Sequence, residues 1–268
     1  MNVEIFGILN ITPDSFSDGG KFFDAEKAIN HAKQLIADGA DVLDIGGCST
    51  GPGSKQISIQ EEISRLEPVV KDLANLTKLS IDTYQSKVAD LCLSLGASII
   101  NDISAMRADP EMLAVIKAHN ARVVLMYSKE DGKSPHISES KKEYINLVDE
   151  IKTFLSNKIE FALKSGILED KIILDPGMGQ FLSSNANYSW ELLSKLSELT
   201  QTFKNFPMLI GTSRKGFLGG ELVNRDPVSQ LTALNAVTKG VRYVRTHNVK
   251  MFKEFLGVWE RILYHGID

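Results

Sequence analysis

Cysteine is scarce: Cys48 and Cys92 are the only thiols in 268 residues. Two thiols build no disulfide framework, and their spacing matches no metal-ligand motif, so the expected compartment is a reducing cytoplasm. No apolar run approaches the roughly 18 residues needed to cross a bilayer. The opening stretch MNVEIFGILN has no basic flank and reads as a first strand rather than a signal peptide. Basic charge is not in excess either. The formal net charge is −4 and the pI is near 5.8, which argues against nucleic acid or an anionic membrane as a partner. There is no Pro/Ser-rich linker, low-complexity tract or residue-level repeat, which leaves a single domain over residues 1–268.

What is present is an ordinary globular composition, 43% hydrophobic and 24% charged. Eight short apolar runs begin at Val3, Asp41, Lys78, Ala97, Arg122, Lys171, Pro207 and Arg242. They are aliphatic on both faces, as parallel strands covered on both sides must be. Amphipathic stretches such as AEKAINHAKQLIADGA separate them, with Gly39 placed as a C-cap. The segment 141–165 is long for one helix, and GKSPH before it marks a loop. Eight strand–helix pairs predict an α/β protein, a (β/α)8 TIM barrel, a fold that takes roughly 250 residues. The competing architecture is an open doubly wound sheet, which usually uses fewer strands per domain.

Almost every run ends in polar residues or glycine. Asn10 closes the first, Asp44 with Gly46 and Gly47 the second, and Asp82 the third. Asn101 with Asp102 closes the fourth and Asp175 the sixth; Ser213–Lys215 follow the seventh, and Arg245 with His247 close the eighth. In a TIM barrel these strand ends form the active-site face. Asp and Asn are also favoured as caps and turn residues, yet capping alone does not explain the recurrence in seven of eight strands. Asp82 and Asp175 follow aliphatic residues directly, so both are expected to be partly buried and to need donors or a cation. A heterocycle offering adjacent N–H and NH2 groups would meet that need, as would barrel-core salt bridges. Arg214, Lys215, Arg245 and His247 gather after strands seven and eight, the usual phosphate site of the fold. Asn10, a neutral oxygen ligand, suits a magnesium ion shared with phosphate oxygens and water. The two glycine-rich loops, NITPDSFSDGGKFF and GGCSTGPGSK, match no Walker or Rossmann pattern and suit mobile covers over the site.

Taken in order, GILNITPDSFSDGG, DIGGCSTGPG, SIDTY, INDIS, LDPGMG, GTSRKGFLG and VRTH resemble the dihydropteroate synthase family over essentially the whole chain. ILDPGMGQFLSSN with RTH is similar to the sulfonamide-resistance branch and its chromosomal relatives. The resemblance implies the same barrel, a cytoplasmic homodimer, Mg2+ as cofactor, and two small-molecule substrates. These are 6-hydroxymethyl-7,8-dihydropterin diphosphate and 4-aminobenzoate, condensed with release of diphosphate. It also implies roles. Asp82, Asn101, Asp175, Lys215 and Met126 bind the pterin, with Asp44 supporting them. Arg245, His247 and Asn10 hold diphosphate, with Asn10 meeting the metal. Thr50, Pro52, Ser213, Phe181 and Lys215 shape the aminobenzoate site. The implied mechanism is dissociative: the C–O bond breaks first and leaves a pterin-stabilised cation.

Several positions depart from the family pattern. Cys48 and Gly51 stand where it has Glu and Arg in GGESTRPG, and Tyr127 stands where it has His. Gln180–Phe181–Leu182 replace Phe-Gly-Lys, which removes a cation. These changes predict an altered aminobenzoate pocket beside intact pterin and anion sets, and Gln180–Phe181 would discriminate against a bulkier sulfonyl group. Two other functions fit parts of the pattern: a corrinoid-linked pterin methyltransferase, which has no need of the SRK and RTH cations, and a pterin-binding paralogue without turnover.

Overall fold

Each apolar run becomes a strand, and the strands are short because polar residues cut them off at one end. They are β1 Glu4–Asn10, β2 Val42–Gly46, β3 Lys78–Asp82, β4 Ile99–Asp102, β5 Arg122–Met126, β6 Ile172–Asp175, β7 Leu209–Ile210 and β8 Tyr243–Thr246. The computed structural model describes residues 3–11, 21–48, 57–130 and 140–265. The strands pair in the order β6-β5-β4-β3-β2-β1-β8-β7, and all pairs are parallel. The ring closes between β6 and β7 through a bridge of Leu174 to Met208, with Leu174 N–H donating to the Pro207 carbonyl at 3.0 Å. The fold is the expected TIM barrel, and closure excludes the open sheet.

Outside the strands lie α1 Lys21–Ala37, α2 Ile59–Leu73, α3 Ser86–Ser94, α4 Met112–Ala118, α5 Leu147–Lys164, α6 Asn187–Thr202, α7 Arg225–Thr238 and α8 Val249–His265. The apolar sides of the helices and the outward strand residues form the large annular core. The long segment 141–165 divides: Asn146 caps α5 by accepting from Asp149 N–H at 3.2 Å, which starts the helix at Leu147. Residues 140–146 run ahead of it as a non-helical strap.

Inside the ring, period-two alternation stacks side chains in layers. Phe6, Val42, Ile99, Val124, Ile173, Leu209 and Tyr243 form a separate apolar floor. One step of two residues further along the same strands come Asp44, Asn101, Met126, Asp175, Gly211 and Arg245. The interior therefore turns from hydrocarbon to polar at one level around most of the ring, and that level is the base of the site.

Candidate active site

Asp44 is fully buried and accepts hydrogen bonds from Ser80 Oγ at 2.6 Å, Asn101 Nδ2 at 3.2 Å and Arg245 Nε at 2.5 Å. The same guanidinium reaches Asp82 Oδ2 from its NH2 group at 2.8 Å. One arginine thus straps two carboxylates across the mouth of the barrel. Burial, with help from Asp44, Glu62 and Asp102, pushes the Asp82 carboxyl up to about 7, against the pull of Arg245. The flanking carboxylates hold the guanidinium above its ordinary range despite its own burial.

Asp175 is different. It is 7% exposed and accepts Gly177 N–H at 2.8 Å. Among the described residues it has no ion pair. Burial pushes it up to about 6, against the Gly177 amide and the charges of Lys215 and Arg245. The salt-bridge reading of the two buried carboxylates therefore holds for Asp82 and fails for Asp175. Lys215 sits nearby with Nζ 4.8 Å over the Phe181 ring. Burial and Arg245 pull its ammonium down to about 8, with Asp175 and Asp82 opposing. Asn101 spends its NH2 on Asp44, and its Oδ1 is buried without a partner. Phe181 packs with Tyr84, Ile103 and Met126 as an apolar wall.

His247 and Ser213 form a unit. The Ser213 hydroxyl accepts the His247 backbone N–H at 3.1 Å and lies 2.9 Å from Nδ1. With the Ser213 proton directed to Nδ1, the ring proton would sit on Nε2. Burial, with Arg245 and Arg214, pulls the imidazole down to about 3, so it donates as a neutral ring. Two strand-end residues face elsewhere. Arg214, at φ 57, binds Asp226 through Nε at 2.7 Å and NH2 at 2.9 Å. Asp102 accepts from Ser104 N–H and Oγ and from Met106 N–H, at 2.6 to 2.8 Å, and so caps its own turn.

Asn10 is exposed at the end of β1. A Cβ on Gly46 would stand 3.6 Å from Asn10 Oδ1 and 3.9 Å from Asp82 Oδ2, so glycine keeps the space between these two oxygen donors clear. Among the described residues no group of three His, Cys, Asp or Glu is assembled for a metal. Asn10 Oδ1 and Asp82 Oδ2 are oxygen donors, the ligand type a hard cation such as magnesium takes. Thr50, Gly51 and Pro52 lie outside the described residues. Cys48 is half-buried, and burial with Glu62 pushes its thiol up.

Three site residues went unnoticed in the sequence. Ser80, which serves Asp44, was signalled by its period-two spacing from Asp82. Tyr84 and Ile103 lie two residues and one residue beyond the polar strand ends, where no periodicity applies.

The chain matches the family model for pterin binding enzyme over residues 6–247. It is 40% identical over 255 residues to the dihydropteroate synthase of Staphylococcus haemolyticus, covering 92% of this chain and 90% of that one. Among solved structures it is similar to the Xanthomonas albilineans dihydropteroate synthase with 4-aminobenzoic acid, at TM-score 0.89 and 33% identity over 98% of this chain and 93% of that one. The same enzyme in complex with 7,8-dihydropteroate gives TM-score 0.84 and 31% identity over 98% and 94%.

Proposed function

The chain belongs to the pterin-binding enzyme family, and from that premise we infer that it condenses 6-hydroxymethyl-7,8-dihydropterin diphosphate with 4-aminobenzoate. The products are 7,8-dihydropteroate and diphosphate, a transferase reaction of folate biosynthesis (EC 2.5.1.15). The observation that carries the reading is a set of polar groups with open valences among the described residues: buried Asn101 Oδ1 without a donor, buried Asp175 without an ion pair, and half-buried Lys215 Nζ without a hydrogen bond. Leaving such groups unmet costs about 1–3 kcal/mol each. A pterin edge, with adjacent N–H and NH2 donors and ring acceptors, satisfies all three at once.

Chemistry follows from the charges around that edge. Asp175 and Asn101 accept from the pterin donors, Lys215 donates to a ring acceptor, and Met126 lies along the ring. The Asp82 carboxylate, fixed by Arg245, favours a cationic ring over a neutral one, which suits breaking the C–O bond before the amine attacks. Arg245 spends Nε and one NH2 on Asp44 and Asp82, which leaves its other terminal nitrogen for a diphosphate oxygen. His247 Nε2–H and Asn10 complete that end. Asn10 would hold magnesium, which would supply neutralisation of the diphosphate charge. Aminobenzoate then enters between Phe181, Ser213 and Lys215. Its amine is neutral at pH 7, so positioning rather than a general base is required of the protein.

Neither Cys48 nor Cys92 is in a disulfide, which supports the cytoplasm as the site of action. The exposed apolar side chains of α7 and α8 support a homodimer. Purified protein mixed with pterin diphosphate, 4-aminobenzoate and magnesium is expected to form dihydropteroate. Absence of product above background overturns the reading; tight pterin binding without turnover would then assign a silent paralogue, and turnover with methyltetrahydrofolate a methyltransferase.

A further inference from the structure

Phe181 is held in place from outside the barrel by the strap that precedes α5. The Lys129 N–H donates to the Phe181 carbonyl at 2.8 Å. One residue on, Tyr144 Oη donates to the Leu182 carbonyl at 2.7 Å. The Ser183 hydroxyl returns a bond to the Lys142 carbonyl at 2.8 Å. The two peptides that follow Phe181 are thus fixed, and two of the three bonds involve the strap.

The strap is itself anchored. Tyr144 N–H donates to Tyr188 Oη at 3.0 Å, and the two rings meet edge to face at 4.8 Å. The Lys142 ammonium binds Glu150, lies 3.2 Å from Tyr127 Oη and stands 5.0 Å over the Tyr144 ring. Tyr127 is buried to 2% exposure at the end of β5 and donates to Glu150 in the first turn of α5 at 2.7 Å. Contacts therefore run unbroken from the end of β5, through the ion pair and strap, to the Leu182 carbonyl, one residue past Phe181. At the far end, the ring of Phe181 bears on Lys215 and Met126.

We propose that Tyr144, anchored by Lys142 and Tyr127, is a positioning residue that sets the affinity for the arylamine substrate by fixing Phe181 against Lys215. This rests on the reading of Phe181 as a wall of the aminobenzoate pocket. Tyr144 and Tyr127 touch no substrate; they act through the backbone at Leu182. A loosened wall opens the arylamine side, while the pterin acceptors Asp175 and Asn101, bonded to Gly177 and Asp44, stay where they are.

Tyr144→Phe keeps the ring and removes the donor to Leu182. Loss of one such bond is expected to raise the KM for aminobenzoate about threefold to tenfold. The KM for pterin diphosphate and kcat stay within about twofold. Tyr127→Phe, one step more remote, gives a smaller rise in the same KM. Phe181→Leu is the companion variant. If Phe181→Leu raises the aminobenzoate KM and Tyr144→Phe does not, the positioning role is overturned and the pocket reading stands. If Phe181→Leu leaves that KM unchanged, the pocket reading falls and the proposal with it. An equal rise in both KM values, or a drop in Tm with unchanged kinetics, also overturns it, because that is general loosening.

Discussion

Under the proposed function, the carboxylates at the barrel mouth would serve ligand binding at the expense of the ligand-free fold. Asp175 shows the sign. Burial lifts its carboxyl from 3.8 to about 6, so its protonated form is favoured in the folded state. Its stabilising contribution is complete below pH about 4 and is lost as pH rises through about 6. At pH 7.5 the charged form costs the empty protein stability. Asp175→Asn is therefore expected to raise stability at pH 7.5 by roughly 1–3 kcal/mol, while activity falls at least about a hundredfold with the pterin acceptor gone. Urea midpoints read the first part, and the gap between variant and parent should close near pH 4. A gap that persists at pH 4 refutes this account. In the active protein, kcat/KM reports the ligand-free groups. It is expected to fall below pH about 6 as Asp175 protonates, and above pH about 8 as Lys215 loses its proton.

Among the elements, legibility followed periodicity. The strands could be read because each is a run of aliphatic residues, seven of the eight with a polar or glycine stop, and the site could be read because those stops lie near one level of a closed ring. Asp82, Asn101, Asp175 and Lys215 converge for that reason. Arg214 and Asp102 carry the same signal in the sequence and face elsewhere, because a positive φ turns one toward Asp226 and a tight turn consumes the other. The Tyr127–Lys142–Tyr144 anchor was hidden for the opposite reason: it joins residues from a strand end, a strap and a helix that no local period connects. The turn after β6 shows how tightly such elements meet. Gly177 has φ +73, and a Cβ there would stand 2.4 Å from the Tyr127 carbonyl oxygen. Gly177→Ala is expected to cost about 2–4 kcal/mol, from left-handed strain and displacement of backbone, and to weaken pterin binding through the lost Asp175 contact. Gly216, with nothing within 4 Å of a built Cβ and no positive φ, is the control: Gly216→Ala should leave the thermal midpoint near that of the parent. Equal midpoints for the two variants would contradict the packing argument.

At the scale of the whole molecule, the apolar surface is unevenly spread. Val228 and Leu231 on α7 are 40% and 61% exposed, and Val258, Ile262 and Tyr264 on α8 are 58%, 58% and 74% exposed. Leu222 and Val223, just before α7, are exposed as well. The spacings of three between Val228 and Leu231 and of four between Val258 and Ile262 put each of these pairs on one helical face, and the two helices pack side by side. Scattered exposed leucines need no explanation, but a contiguous apolar patch on a monomer marks an interface. A stable homodimer needs about 800 Å² from each partner, an area that two adjacent helices of 14 and 17 residues can supply. In the proposed homodimer a twofold contact would set this patch against its own copy. Leu231→Glu with Ile262→Glu is expected to convert a dimer to a monomer in light scattering, since each buried glutamate would carry an unpaired charge into the contact. Each barrel holds its own Asp82, Asn101, Asp175, Lys215 and Arg245, so the monomer should keep kcat per chain within about threefold as long as the barrel stays folded. A parent protein that is monomeric at micromolar concentration, or a double variant that stays dimeric, would place the interface elsewhere. A monomer that is folded yet inactive would mean that the partner completes the site.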